Sequence, residues 1–391
     1  MRKIVRLMKN WQFIGPEGNT TTVDLPHTWN AIDGQDGGND YWRGTCVYRT
    51  RFAAPAFEEV SQQVWLQFEG VNASAKVVLN DTEVCVHDGG YSTFRANITT
   101  LLREENILTV EVDNSVNDHV YPQKADFTFY GGIYRDVSLL VVHKDHIALG
   151  HYGDTGVKVT PTLCKDHTAD IRVETRLEGE GTVRVTLNDA EGNTVAAAEG
   201  KDVTMTLAHP HLYTCVVELE QGGEVVDTVS TRVGVRSFRV DPKKGFFLNG
   251  RSYPLHGVSR HQDRKGLGNA ITREMHDEDM TLIRELGANT IRLAHYQHDQ
   301  YFYDLCDEYG MVVWAEIPYI SEHLPNGRQN TIDQMEELIY QNYNHPCIVC
   351  WGVSNEITIS TKDKADMLDN HHMLNDLCHK MDPNRLTTLA C

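Results

Sequence analysis

Residues able to do acid–base work close short apolar runs in the last third of the chain. Arg260 and His261 follow Pro254 to Val258, and Arg292, His295 and Tyr296 lie in and after Thr290 to Ala294. Trp314 and Glu316 sit in Met311 to Ile317, and Asn355 and Glu356 follow Cys347 to Val353. An acid beside an amide at a strand end suits glycoside cleavage. There a carboxylic acid protonates the leaving oxygen and a contact to the sugar 2-hydroxyl strengthens in the transition state; in retaining enzymes a second carboxylate about 5 to 5.5 Å away is the nucleophile. Glu356 fits the general acid/base role and Asn355 the hydroxyl contact. No nucleophile is visible. Asp363, Asp366, Asp369, Asp376 and Asp382 fall on or beside a helix and read as a solvated face.

The elements that must position these groups alternate. Between the apolar runs, which end with Leu386 to Cys391, lie helical stretches at Thr272 to Leu286, Gln300 to Tyr309, Ile332 to Tyr343 and Lys364 to Met381. In the first of them Met275, Leu282, Ile283 and Leu286 are expected on one buried face. Repeated strand then helix implies parallel strands, and in such barrels the active groups sit at the carboxyl ends of the strands. Five strands and four helices fit into residues 238–391, where a complete eight-fold barrel takes about 250 residues. The expectation is the N-terminal part of a TIM-barrel catalytic domain, a truncated (β/α)8 barrel. Its unpaired fifth strand would invite association with another copy of the chain.

Upstream the apolar period is two. Leu108, Val110 and Val112 alternate with polar residues, and Val64 to Phe68 and Lys76 to Leu79 repeat the pattern. Asn80-Asp81 after the last run tolerates the positive φ of a tight hairpin. Residues 1–145 read as a jelly-roll-like β-sandwich with two glycine-rich loops, Gly34 to Asp40 and Tyr130 to Gly132, suited to sugar contact. Residues 146–237, with Val183 to Leu187 and Tyr213 to Leu219, read as an immunoglobulin-like β-sandwich whose His209 and His211 are surface features. The fold class is therefore multidomain β plus α/β.

Four ordered barrel motifs, Gly257 to His261, Asn289 to Tyr296, Leu305 to Gly310 and Trp351 to Glu356, resemble glycoside hydrolase family 2, the β-galactosidase and β-glucuronidase family. Asp40 to Gly44 and Phe129 to Val137 extend the resemblance through the sandwich, so that it covers essentially the whole chain. By this resemblance Glu356 is the general acid/base, Asn355 contacts the 2-hydroxyl, and His261 and His295 contact the substrate. Arg292 steadies the catalytic carboxylates. Asp126 resembles an aspartate that β-galactosidases place against the sugar hydroxyls, and Asp40 reaches the same pocket. The resemblance implies a retaining exo-glycosidase of terminal β-D-galactosides, with β-glucuronidase as the alternative inside the family. A non-catalytic carbohydrate-binding or assembly module is the alternative outside it, since these residues alone lack the nucleophile. No cofactor is required. Magnesium or sodium binding is not supported, because Glu322-His323 is out of register with the Glu-x-His that family members use.

Composition narrows the partners further. The chain of 391 residues carries 36 Lys and Arg against 55 Asp and Glu, a net charge of −19, which repels nucleic acid and anionic membranes. Arg2, Lys3, Arg6 and Lys9 interrupt the apolar start, and nine scattered cysteines suit a reducing compartment, so a cytoplasmic location is expected. Cys347 and Cys350 have CxxC spacing, but in a strand i and i+3 point to opposite faces. His371, His372 and His379 read as solvated helix residues.

Overall fold

In the computed structural model, which describes residues 1–33, 42–163, 168–207 and 212–390, the alternating runs pair as antiparallel sheets. Lys3–Arg6, Val137–His143, Gln62–Phe68 and Phe94–Asn97 form one sheet in that order. Facing it, Thr20–Val23, Trp11–Ile14, Thr45–Ala53, Glu105–Asp113, Ser74–Leu79 and Thr82–Asp88 form a second. In Thr45–Ala53 the period is visible in burial: Cys46, Tyr48, Thr50 and Phe52 point inward while Arg49 and Arg51 are exposed. Trp11, Tyr48, Leu66, Phe68 and Val110 fill the space between the sheets. Such burial contributes about 1.5 to 3 kcal/mol per large side chain. Asn80 and Asp81 take φ of 49° and 68°, the left-handed conformation a two-residue hairpin requires. Asp40, His209 and His211 lie outside the described residues.

A second pair of antiparallel sheets, of three and four strands, spans Val157 to Gly234 and encloses Val159, Ile171, Val185, Cys215 and Val217. A three-stranded meander, Phe238–Asp241, Gly245–Leu248 and Arg251–Ser252, then turns at Asn249-Gly250 with φ of 50° and 76°. Beyond it the barrel residues run β1 (Gly257–Arg260), α1 (Arg273–Glu285), β2 (Thr290–Leu293), α2 (Gln300–Glu308) and β3 (Val312–Glu316). They continue as α3 (Arg328–Asn342), β4 (Ile348–Asn355), α4 (Lys364–Met381) and β5 (Leu386–Ala390). Among the described residues the five strands form one parallel sheet in chain order.

Several local expectations change. The first strand starts at Gly257 rather than Pro254, because the Asn289 side chain takes the Pro254 carbonyl and the His256 N–H in place of a ladder. The core face of α1 is His276, Met280 and Ile283, at i, i+4 and i+7, while Leu282 and Leu286 are exposed. Helix α3 begins at Arg328, four residues early, since Asn330 in its first turn is buried and accepts the Tyr121 N–H. The α4 acids and histidines are not a uniformly solvated face. Asp363 caps the helix, Asp366 accepts from His323, and fully buried Asp382 accepts from Trp351 and Arg385. His371 is half-buried and shares a 2.7 Å hydrogen bond with Ser354 of β4.

The first sandwich and the barrel share a polar seam along α3. His87 meets Glu337 at 2.7 Å, Ser92 donates to the same carboxylate, and Gln341 bonds both the N–H and the carbonyl of Thr93. Burial opposes charge on His87, but Glu337, assisted by Asp88 and Asp333, outweighs it and raises the imidazole pKa. A raised folded-state pKa means that this contact stabilises fully below the ordinary histidine value of about 6.5 and is lost as pH rises through the raised one. Thermal unfolding followed across that window should show a larger fall in midpoint for the natural protein than for His87→Gln; equal slopes would exclude the ion pair as a stabilising contact.

Candidate active site

The centre of the site is a carboxylate with no access to solvent. Glu316 ends β3 with a relative exposure of 0%. Its Oε2 accepts Arg292 Nε at 3.1 Å and Nη2 at 2.9 Å, and its Oε1 accepts His295 Nδ1 at 2.5 Å. Arg292 Nη2 also donates to Asn355 Oδ1 at 2.7 Å, and the guanidinium lies 4.1 Å over the Trp314 ring. Three adjacent strands thus meet through one acid. The close fit explains Gly352, which pairs with Glu316 on β4: a Cβ there would stand 2.4 Å from Trp314 Nε1 and 2.5 Å from Glu316 Cβ.

The second histidine is held from another direction. Tyr296 Oη accepts the Gln262 N–H at 3.1 Å and lies in hydrogen-bond contact 3.3 Å from His261 Nδ1. Burial, then the neighbouring His295, lowers the His261 pKa, which keeps the ring neutral. The His261 and His295 rings are 5.2 Å apart. Phe127, from the loop of the first sandwich, packs 4.9 Å from His261 and 6.1 Å from His295. Its neighbour Asp126 is exposed, and its negative charge acts on His261.

Asn355 is buried, whereas Glu356, the next residue, is exposed in a left-handed turn with φ of 46°. Its N–H donates to the Ala390 carbonyl at 2.8 Å, which ties the turn to the end of β5. The structure therefore groups Arg292, His295 and Asn355 directly and brings His261 and Asp126 beside them through Phe127; among the described residues the Glu356 side chain makes no hydrogen bond at the strand end. Sequence reasoning placed Glu316 among the strand-end candidates but gave it no role. A charged residue closing the continuous apolar run of a parallel strand was the available signal. Phe127 carried no such signal, since its role arises only from contacts between loops.

Among the described residues, those near Glu356 do not fit a metal. Both nitrogens of buried His323 are engaged, Nδ1 with Tyr319 Oη at 2.7 Å and Nε2 with Asp366 at 2.6 Å. Asp304, Asp307 and His345 converge elsewhere, but Asp307 accepts the His345 imidazole at 2.6 Å and the Cys347 N–H at 2.9 Å, a structural tie between α2 and β4.

Residues 239–390 match the model of the glycosyl hydrolases family 2 TIM barrel domain. Residues 37–162 match the glycosyl hydrolase 2 galactose-binding domain-like model and 154–236 the glycosyl hydrolases family 2 model. The chain belongs to glycosyl hydrolase family 2. It is 36% identical to a β-glucuronidase of Bacteroides fragilis, with 100% of this chain and 61% of the relative covered. A β-galactosidase of Thermoanaerobacter pseudethanolicus is 28% identical, with 96% and 52% covered. The crystal structure of an FMN-binding β-glucuronidase from Facaelibacterium prausnitzii superposes with a TM-score of 0.97 at 43% identity, covering 100% of this chain and 64% of that one. The family 2 chain thus spans 61% and 52% of the length of these two curated relatives.

Because buried Glu316 neutralises half-buried Arg292 and accepts from half-buried His295, Glu316→Gln should remove the charge and leave one of these donors without its acceptor. Loss of one partner of a buried pair costs about 3 to 5 kcal/mol. Urea unfolding of the variant should report a loss of that size; a change below about 1 kcal/mol, the scale of an exposed pair, would contradict the burial argument.

Proposed function

We propose that these residues form the non-nucleophile half of a retaining β-glycosidase site and that the whole protein cleaves terminal β-D-glucuronides. The observation that carries the glycosidase reading is the Arg292, Glu316, His295 and Asn355 network beside an exposed Glu356 at the strand ends. Glu356 protonates the glycosidic oxygen as the bond breaks, then deprotonates the water that releases the sugar. Asn355, fixed by Arg292, presents its amide N–H to the 2-hydroxyl. His261, kept neutral by burial, adds a second polar contact to the sugar.

Glu316 is not the nucleophile. Both of its oxygens are spent on Arg292 and His295, and it is enclosed. The proposal assigns the nucleophile to a carboxylate at a later strand end of the whole barrel.

Glucuronide is favoured over the galactoside expected from Asp126, because the β-glucuronidase relative is 36% identical and the β-galactosidase 28%. Asp126 itself supports either sugar, since an exposed aspartate beside His261 can accept from ring hydroxyls that both sugars carry. Galactoside cleavage therefore stands as the second reading. Assay of the whole protein on nitrophenyl β-glucuronide and β-galactoside should give a higher kcat/KM for the glucuronide; the reverse order would select the second reading, and inactivity on both would refute the glycosidase.

Glu356→Gln in the active protein should lower kcat/KM on an alkyl glycoside by about 10² to 10⁴-fold, the usual worth of general acid–base catalysis. The loss should be smaller on an activated aryl glycoside, whose leaving group needs little protonation. Equal losses on the two substrates would remove Glu356 from the acid role.

A further inference from the structure

We infer that Arg135, a residue of the first sandwich, is the positioning residue that sets where His261 and His295 stand in the barrel. The inference rests on the glycosidase reading above. Arg135 is 6% exposed, and its guanidinium is divided between the two bodies. On the sandwich side Nη1 donates to the Tyr91 carbonyl at 2.6 Å and the Glu69 carbonyl at 3.2 Å. On the barrel side Nη2 donates to the Gln297 carbonyl at 3.0 Å and meets Gln262 Oε1 at 3.4 Å. Nε faces Asp299 at 3.7 Å.

Those barrel partners are the neighbours of the two histidines. Gln262 follows His261 directly, and Gln297 lies two residues after His295. Gln262 Oε1 also accepts the Asp299 N–H at 2.7 Å, which fixes the start of α2 to the same point. Tyr91, whose carbonyl Arg135 holds, stacks 4.4 Å from Tyr296, the residue that bridges the Gln262 N–H and His261 Nδ1. One planar cation thus reaches both βα loops, once through backbone and once through an amide, and braces a third contact by stacking.

The seam does not depend on Arg135 for docking alone. His87 with Glu337, Gln341 with Thr93, and Tyr121 with the Leu324 N–H bind the same sandwich to α3 and to the loop before it. What Arg135 adds is the placement of the loops after β1 and β2. A lysine cannot reproduce it, because an ammonium has three donors around one point, whereas the guanidinium holds divergent acceptors in a fixed fork.

The test is Arg135→Lys and Arg135→Ala in the whole protein, with kcat, KM and the unfolding midpoint measured together. A loop displaced by about 1 Å costs about 10²-fold in rate, so kcat should fall on that scale in both variants with KM little changed. Millimolar guanidinium, but not methylammonium, should recover part of kcat in Arg135→Ala and leave the natural protein unaffected. Full kcat in Arg135→Lys would overturn the inference, as would a loss that follows the unfolded fraction and is not recovered. If the natural protein cleaves neither glycoside, the glycosidase reading fails separately. The positioning claim is then read from histidine ring signals of the 391-residue chain carrying Arg135→Lys: those of His261 and His295 should shift while those of His371 and His379 stay, and unmoved His261 and His295 would refute it.

Discussion

A carboxylate sealed inside a parallel sheet is costly unless every lone pair is used, and the Glu316 site is organised around meeting that cost. Arg292 from β2 and His295 from the loop after it supply the donors, and the remaining Arg292 donor reaches Asn355 on β4. Three strand ends are thereby locked at one level, and Gly352 is required because the acid and Trp314 occupy the volume a side chain would need. Asn355, buried at the end of β4, inherits its orientation from this interior pair. Glu356 lies just outside the network, and among the described residues its carboxylate accepts no hydrogen bond.

The barrel strands alone do not complete the pocket. The first sandwich sends Phe127 against both histidines, Asp126 beside His261, and Tyr130 Oη to Asp263 at 3.0 Å. It also carries Tyr121 into the hydrophobic core of the barrel, where its ring meets Tyr319 at 5.1 Å. The sandwich is therefore part of the wall of the site. That placement brings a loop far from the barrel in sequence against the barrel histidines.

Much of the architecture was legible because its signals are local. Period-two alternation gave the sandwich strands, and Asn80-Asp81 marked a hairpin that adopts the expected positive φ. Apolar runs alternating with helices gave the parallel sheet. Legibility ended where non-local contacts decide. The buried face of α1 turned on what His276 touches, including Arg260, rather than on hydrophobicity, and α3 began early because Tyr121 reaches its first turn. Asp382 looked like a surface acid until Arg385 and Trp351 closed over it. The sugar preference was the least legible. Asp126 can be matched to a galactose contact, yet an exposed aspartate can accept from hydroxyls that both sugars carry.

The central claim is that these strand ends serve double displacement, with Glu356 acting first as acid and then as base. Proton NMR of the first product released from a β-glucuronide by the whole protein tests it most directly. The account predicts the β-anomer first, followed by slow mutarotation, because two inversions at the anomeric carbon give net retention. Initial appearance of the α-anomer would mean that water attacks in a single step, and would contradict both the role given to Glu356 and the nucleophile assigned beyond β5.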